Sequence, residues 1–264
     1  LPNSSPADWL SCAIAREISD GETIAVGLAT TLPFAGIMLA RRTHAPNLRT
    51  GYVVGHGMMN RPIPASITWN EKHILDRAER LWSFSDSVFE WLPSRHPKEF
   101  FRPAQIDPYG NSNNVRVGPI RLPGPAGLPD VTPYHSNIYY YVPVPTPKVF
   151  VPQVEFVSGT GLGEFGPKRV LTGIALFDFE DRRMRLTTLA PGVTREQVLS
   201  QLGFVPLEKQ PLEIFDPPRA WLDLLREIDP LGTRELEFLS GEDRLRRLEE
   251  ILWTEAGAGP RSVL

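Results

Sequence analysis

The chain has 264 residues and a single cysteine, Cys12, so no disulfide can form within it. That absence fits a reducing cytoplasm. No apolar run is long enough to span a bilayer, because the most apolar stretch, Thr23 to Leu39, is broken by Gly27, Pro33 and Gly36. The start, Leu1 to Ser5, has no basic segment of the kind that opens a secretory signal, and a cytoplasmic location is expected. Positive charge is not in excess either. A net charge of −3 and a pI near 6.0 give no general electrostatic reason to bind nucleic acid or an anionic membrane. The five histidines form no H-x-x-x-H pair and none stands at ligand spacing from the cysteine, so no metal is expected. There is no G-x-S-x-G elbow and no P-loop. The run Gly159-Thr160-Gly161-Leu162-Gly163 places its third glycine wrongly for a dinucleotide turn, and reads as a surface turn or lid.

What is present has the rhythm of an α/β protein. Residues 7–19 carry Trp9, Leu10, Ala13, Ile14 and Ile18 at helical spacing. Strand 23–26 follows, then a helix from about Pro33 to Arg42, then strand 51–54. That αβαβ order predicts an open, mainly parallel sheet flanked by helices. A helix is expected over 69–82, with His73 and His96 exposed, and a strand over 99–106. Further strands are expected over 137–144, 148–156, 170–177 and 185–189. The three consecutive tyrosines 139–141 fit either a sheet face or a pocket wall. Thr194-Arg195-Glu196-Gln197 is a capping-box pattern. Residues 1–232 read as one α/β domain. Residues 233–264 read as a charged amphipathic helical tail that contacts the body or a partner.

The stretch Tyr52 to Asn60 reads as a strand opening into a turn in which Gly55 and Gly57 flank His56. Strands of open α/β sheets deliver their chemistry at such carboxyl ends. His56 is an active-site residue or a structural turn residue on this pattern. Asp107-Pro108-Tyr109-Gly110-Asn111 is a turn signal, and Asn111 and Asn113 can bridge loops. Small residues at Gly124, Ala126 and Gly127 would let backbone N–H groups face an oxyanion.

Taken in order, several segments resemble the β-type subunit of class I CoA-transferases. They are Asp20-Gly21 before a strand ending at Gly27, Thr43 to Leu48, and Gln105 to Asn113, which is similar to the family's Q-V-D-x-x-G-N-x-N. Gly124 to Gly127, Val149 to Val151, Val157 to Gly159, Ala175 to Phe179 and Leu189 to Thr194 complete the set. The resemblance covers about residues 10–232 and is nearest to the glutaconate-transferase branch. That branch includes steroid ring-opening acyl-CoA hydrolases and a 3-methylglutaconyl-CoA decarboxylase. The resemblance implies a subunit that works with an α-type partner on an acyl-CoA thioester, with coenzyme A entering only as part of the substrate and no permanently bound cofactor. It also implies a nucleophilic glutamate near the end of the second strand and oxyanion donors in the glycine-rich turns. No glutamate or cysteine occurs between Pro46 and Thr68. Valine cannot attack a thioester, whereas a histidine can move a proton. His56 is therefore the expected catalytic residue, with Gly55, Gly57, Asn111, Asn113, Gly124, Ala126 and Gly127 expected around the substrate or oxyanion. The expected enzyme is a C–C hydrolase, lyase or decarboxylase. A true CoA-transferase and a non-catalytic binding subunit are the alternatives.

Overall fold

The computed structural model describes residues 4–27, 30–53, 57–135, 137–161 and 163–258. In chain order the first elements are α1 (Pro6–Arg16), β1 (Thr23–Val26), α2 (Thr31–Arg42), β2 (Arg49–Tyr52), β3 (Gly57–Met59), α3 (Asn70–Arg77) and β4 (Arg80–Leu81). A π-helical turn, Asp86–Trp91, leads into α4 (Leu92–Arg95) and β5 (Lys98–Phe101). Short strands β6 (Gln105–Ile106), β7 (Ser112–Asn113), β8 (Arg116–Val117) and β9 (Ile120–Arg121) precede α5 (Leu128–Val131). Next come β10 (Ile138–Val142), β11 (Pro167–Thr172), β12 (Ala175–Glu180), β13 (Arg183–Leu189), α6 (Arg195–Leu199) and β14 (Leu207–Ile214). The chain closes with α7 (Arg219–Ile228), a 3-10 turn at Thr233–Glu237, and α8 (Gly241–Ala258). Two compact units result, one from Ala7–Lys98 with the segment after Pro217, the other chiefly from Glu99–Asp216. The protein is an α/β protein with open sheet flanked by helices and an amphipathic C-terminal helix.

In the first unit β1 and β2 pair in parallel, with Ala25 opposite Gly51 and Val26 opposite Tyr52. The chain then turns back, and β3 runs antiparallel to β2 with Gly57 opposite Tyr52. The second strand thus leads into a hairpin. α2 is apolar on most of its surface and is buried along nearly its whole length. It crosses α1 at Gly36, where a Cβ would come within 2.7 Å of Ile14 and of the Ser11 carbonyl, so only glycine allows the approach. Arg41, near the end of α2, donates to Thr50 Oγ1 at 3.2 Å and to the Asn60 carbonyl at 2.5 Å, tying the helix to the hairpin.

The C-terminal segment belongs to this same unit. Arg234 is buried and donates to Asp229 Oδ2 at 2.9 Å and Asp8 Oδ1 at 2.7 Å, which fastens the first turn of α1 to the chain after α7. Asp229 also accepts the backbone N–H groups of Thr233 and Arg234, so the same short turn satisfies both of its carboxylate oxygens.

In the second unit the strand order is β14-β13-β12-β11-β10-β5. β10 is parallel to both β5 and β11, and β13 is parallel to β14, whereas β12 runs antiparallel to its neighbours. Tyr139, Tyr140 and Tyr141 are all buried, because β10 has a strand on either side and protein on both faces. Phe150 and Phe177, with ring centroids 5.9 Å apart, anchor the core beneath it. The capping box at the start of α6 is formed, with Gln197 N donating to Thr194 Oγ1 and Thr194 N to Gln197 Oε1.

Several sequence expectations are corrected. Residues 148–156 form no strand: the Thr146 carbonyl accepts the N–H of both Val149 and Phe150, a turn, and only Phe150 keeps a bridge to Ile106. The strand over 99–106 is cut in two around Pro103, which has no N–H for the ladder. The helix over 69–82 ends at Arg77, and Ala78 is extended into β4. His73 is buried, not exposed: Arg77 donates to its Nδ1 at 3.2 Å. β14 has no clear signal in the sequence because Pro211 and three charged residues break its pattern; as the outermost strand it tolerates both.

Two outcomes follow from this packing. Arg234→Ala leaves Asp229 buried without its cation, and should lower stability by about 3–5 kcal/mol in urea denaturation. His73 is held below the ordinary histidine range by burial and then by Arg77. The unfolded chain therefore takes up a proton first, so stability should fall as pH drops through about 6.5. A urea midpoint measured from pH 7.5 to 5.5 should decline, and His73→Gln should flatten the decline.

Candidate functional site

The parallel pairing of β1 and β2 brings their carboxyl ends side by side. There a cavity of about 490 Å³ opens, lined by Val26 at the end of β1, by Gly27 after it and by Tyr52 of β2. Thr30, Thr31 and Phe34 line it from the start of α2, and residues 65–68 with Asn70, Glu71 and Ile74 form the facing wall. The C-terminal segment closes the rest through Thr233, Leu236, Glu237, Arg244 and Leu248. A cavity of this size, with polar groups set among apolar ones, matches the small-molecule sites of open α/β sheets.

The polar groups differ in what they can do. Glu237 is buried, and its Oε1 accepts Leu32 N at 3.1 Å and the Thr31 hydroxyl at 3.4 Å. Its carboxylate therefore already occupies the positive end of α2, where an anionic ligand would otherwise be held. Burial pushes the Tyr52 phenol far up, so it stays protonated. Asn70 Oδ1 and Thr233 Oγ1 are buried in the wall of this cavity without a protein partner. Glu71, in the first turn of α3, lines the cavity exposed to solvent and forms no ion pair or hydrogen bond with the described residues. It is the free carboxylate of the site. Nothing in its spacing reveals it, because the chain between β3 and α3 folds back to carry it to the strand ends.

The residues expected from sequence fall in several places. His56 and Gly55 lie outside the described residues. Gly57 opens β3, and a Cβ there would meet Ile74 Cγ2 at 2.9 Å and Ala78 at 3.0 Å, so its smallness lets α3 lie on the hairpin. Asn111 and Asn113 belong to the second unit and serve a tightly bonded turn. Asp107 accepts the N–H groups of Tyr109 and Asn111 and the Asn111 amide, while Gly110 takes φ +80°. Asn111 Oδ1 accepts Gly161 N at 2.9 Å, and Asn111 also borders a surface concavity with Thr160 and Arg182. Asn113 is fully buried, with its amide donating to Gln105 Oε1 at 2.7 Å and its side-chain oxygen accepting Val115 N at 3.0 Å. Gly124 (φ +116°) and Ala126 (φ +50°) form a left-handed turn before α5, and nothing crowds Gly124 or Gly127. The geometry thus groups Glu71, Asn70 and Thr233 at the cavity, none of which the sequence singles out as a site residue. Among the described residues no group of three or more His, Cys, Asp or Glu side chains is gathered to hold a metal, and no helix is long and apolar enough to cross a membrane.

Known proteins are similar to this chain. A subunit of glutaconate CoA-transferase from Acidaminococcus fermentans is 28% identical over 255 residues, covering 86% of this chain and 94% of that one. The chain matches the β-type subunit of class I CoA-transferases. A cholesterol ring-cleaving hydrolase IpdB subunit from Rhodococcus jostii is 29% identical over 250 residues, covering 88% of this chain and 95% of that one. The crystal structure of the decarboxylase AibA/AibB superposes with a TM-score of 0.77 at 23% identity, over 88% of this chain and 97% of that one, a likeness of fold. No model of a known protein family matches the sequence.

Asn111→Ala should cost about 1–3 kcal/mol, since it strips the Gly161 N–H of its acceptor and the Asp107 carboxylate of one of its donors. Asn111→Asp keeps the acceptor for Gly161 but repels Asp107, and should be destabilised as well. Urea unfolding of both variants checks this.

Proposed function

We propose that this chain is the β-type subunit of a heteromeric enzyme of the CoA-transferase family, acting with an α-type partner on an acyl-CoA thioester. Its reaction is cleavage of a carbon–carbon bond, by hydrolysis, lysis or decarboxylation, and CoA is not moved through a glutamyl-CoA intermediate. One observation carries this reading: a substrate-sized cavity stands at the ends of β1 and β2, yet among the described residues neither strand end supplies a nucleophile. Val26, Gly27 and Val53 have no group that attacks a thioester, and the Tyr52 phenol stays protonated. The relatives support it, since one is named a ring-cleaving hydrolase and a solved neighbour a decarboxylase.

In this reading the acyl group enters the cavity and coenzyme A is part of the substrate. Glu71 serves as the carboxylate that takes a proton from water or substrate, and His56 acts as acid, base or polar clamp. Carboxylates and imidazoles so used contribute about 10²–10⁴-fold to rate. Gly55 and Gly57, on either side of His56 in the sequence, are proposed as positions beside the substrate or oxyanion. Gly124, Ala126 and Gly127 are proposed as backbone donors to an oxyanion, and Asn111 and Asn113 as the residues that hold the neighbouring turns for substrate. A cytoplasmic location accords with substrates and partners of this kind.

The complex with its α-type partner, assayed on β-keto and ring-opening CoA thioesters, tests the reading. Glu71→Gln should lower kcat/KM by about 10²–10⁴-fold, and His56→Ala should lower it too. Hydroxylamine added during turnover should trap no protein hydroxamate. A hydroxamate at Glu71 would instead establish a transferase whose nucleophile comes from α3.

A further inference from the structure

The C-terminal helix carries Arg244, Leu248, Ile251 and Glu255 at spacings of four, three and four, so they share one face. Ile251 is buried, Arg244 and Leu248 line the cavity, and Glu255 reaches the opposite wall. The Glu255 carboxylate accepts Ile67 N at 2.9 Å, Thr68 N at 2.8 Å and the Thr68 hydroxyl at 2.6 Å. Trp69 Nε1 reaches the Glu255 carbonyl at 3.5 Å. Those backbone donors directly precede α3 and would otherwise lack an acceptor. The same segment presents Ser66, Ile67, Thr68, Asn70 and Glu71 to the cavity. One helix therefore supplies part of the wall and holds the segment that leads into α3 in place.

We propose that α8 is the specificity wall of this cavity: Glu255 fixes the segment 65–71 as a positioning residue, and Leu248 limits the length of the acyl group that fits. This rests on the acyl-CoA reading above and adds to it the part of the chain that selects the acyl group. Glu255 touches no substrate; it acts through the backbone of Ile67 and Thr68 and so through the placement of Glu71. Burial would raise the Glu255 carboxyl, but bonds from Thr68 and Ile67 outweigh it and hold it below the ordinary range, so the clamp is charged at neutral pH. Leu248 faces the cavity one turn after Arg244, where a shorter side chain adds depth and a larger one removes it.

Two measurements on the full-length chain with its α-type partner test this. Hydrogen exchange at the Ile67 and Thr68 amides should quicken at least tenfold in Glu255→Ala, and less in Glu255→Gln, which keeps one acceptor oxygen. Unchanged exchange in both, with an unchanged circular dichroism spectrum, overturns the clamp. Titration with butyryl-CoA and octanoyl-CoA gives a ratio of dissociation constants. Leu248→Ala should shift that ratio about tenfold toward the longer ester, and Leu248→Trp should shift it the other way, as a few methylenes in an apolar pocket allow. Binding with the same ratio in all three proteins removes the specificity wall and leaves the acyl-CoA reading standing. If the wild-type complex binds neither ester, that reading and this proposal fall together.

Discussion

Parallel pairing of β1 with β2 is the constraint from which the candidate site follows. Two parallel strands end at the same level and on the same side, so Val26 and Tyr52 finish as neighbours. The chain that leaves each strand must then travel over that end. α2 starts above it and the segment leading into α3 crosses it, and the space between them is the cavity. The antiparallel return of β3 adds a second consequence, since it carries the chain away from a strand-to-helix turn and into a hairpin. The residue that lines the site from beyond the hairpin is therefore reached through α3. A scaffold of this kind separates where chemistry occurs from which residue performs it.

Local patterns are legible in the sequence wherever neighbouring residues decide them. The αβαβ opening, the capping box at Thr194 and the Asp107 turn with Gly110 at positive φ all depend on side chains within a few positions of one another. The amphipathic tail is legible as a helix for the same reason. What escapes depends on distance along the chain. Glu255 bonds Thr68 across 187 positions and Glu237 bonds Leu32 across 205, and no spacing rule reaches so far. Proline misleads in both directions: it interrupts the apolar interval 99–106, and its presence in β14 hides a true edge strand. His73 suggests exposure because its sequence neighbours are polar; in α3 it lies beside Ile74 on the buried side, with Arg77 bonded to its ring.

The carboxylates of the first unit show how one chemical group takes different roles by environment. Asp229 is fixed by a buried guanidinium and two backbone N–H groups, and its charge is structural. Glu237 is committed to the start of α2. Glu255 satisfies backbone donors ahead of α3. Among these four, Glu71 alone faces the cavity without a partner, and the contrast with its neighbours identifies it more firmly than its own position would.

The outermost strand β14 has a meaning for assembly. Pro211 has no N–H to offer, and Glu208, Lys209 and Glu213 place charge along the strand. An edge so furnished rejects a further strand and guards against uncontrolled polymerisation. A continuous β-ladder across two polypeptides at β14 is therefore disfavoured by the chemistry of the edge itself.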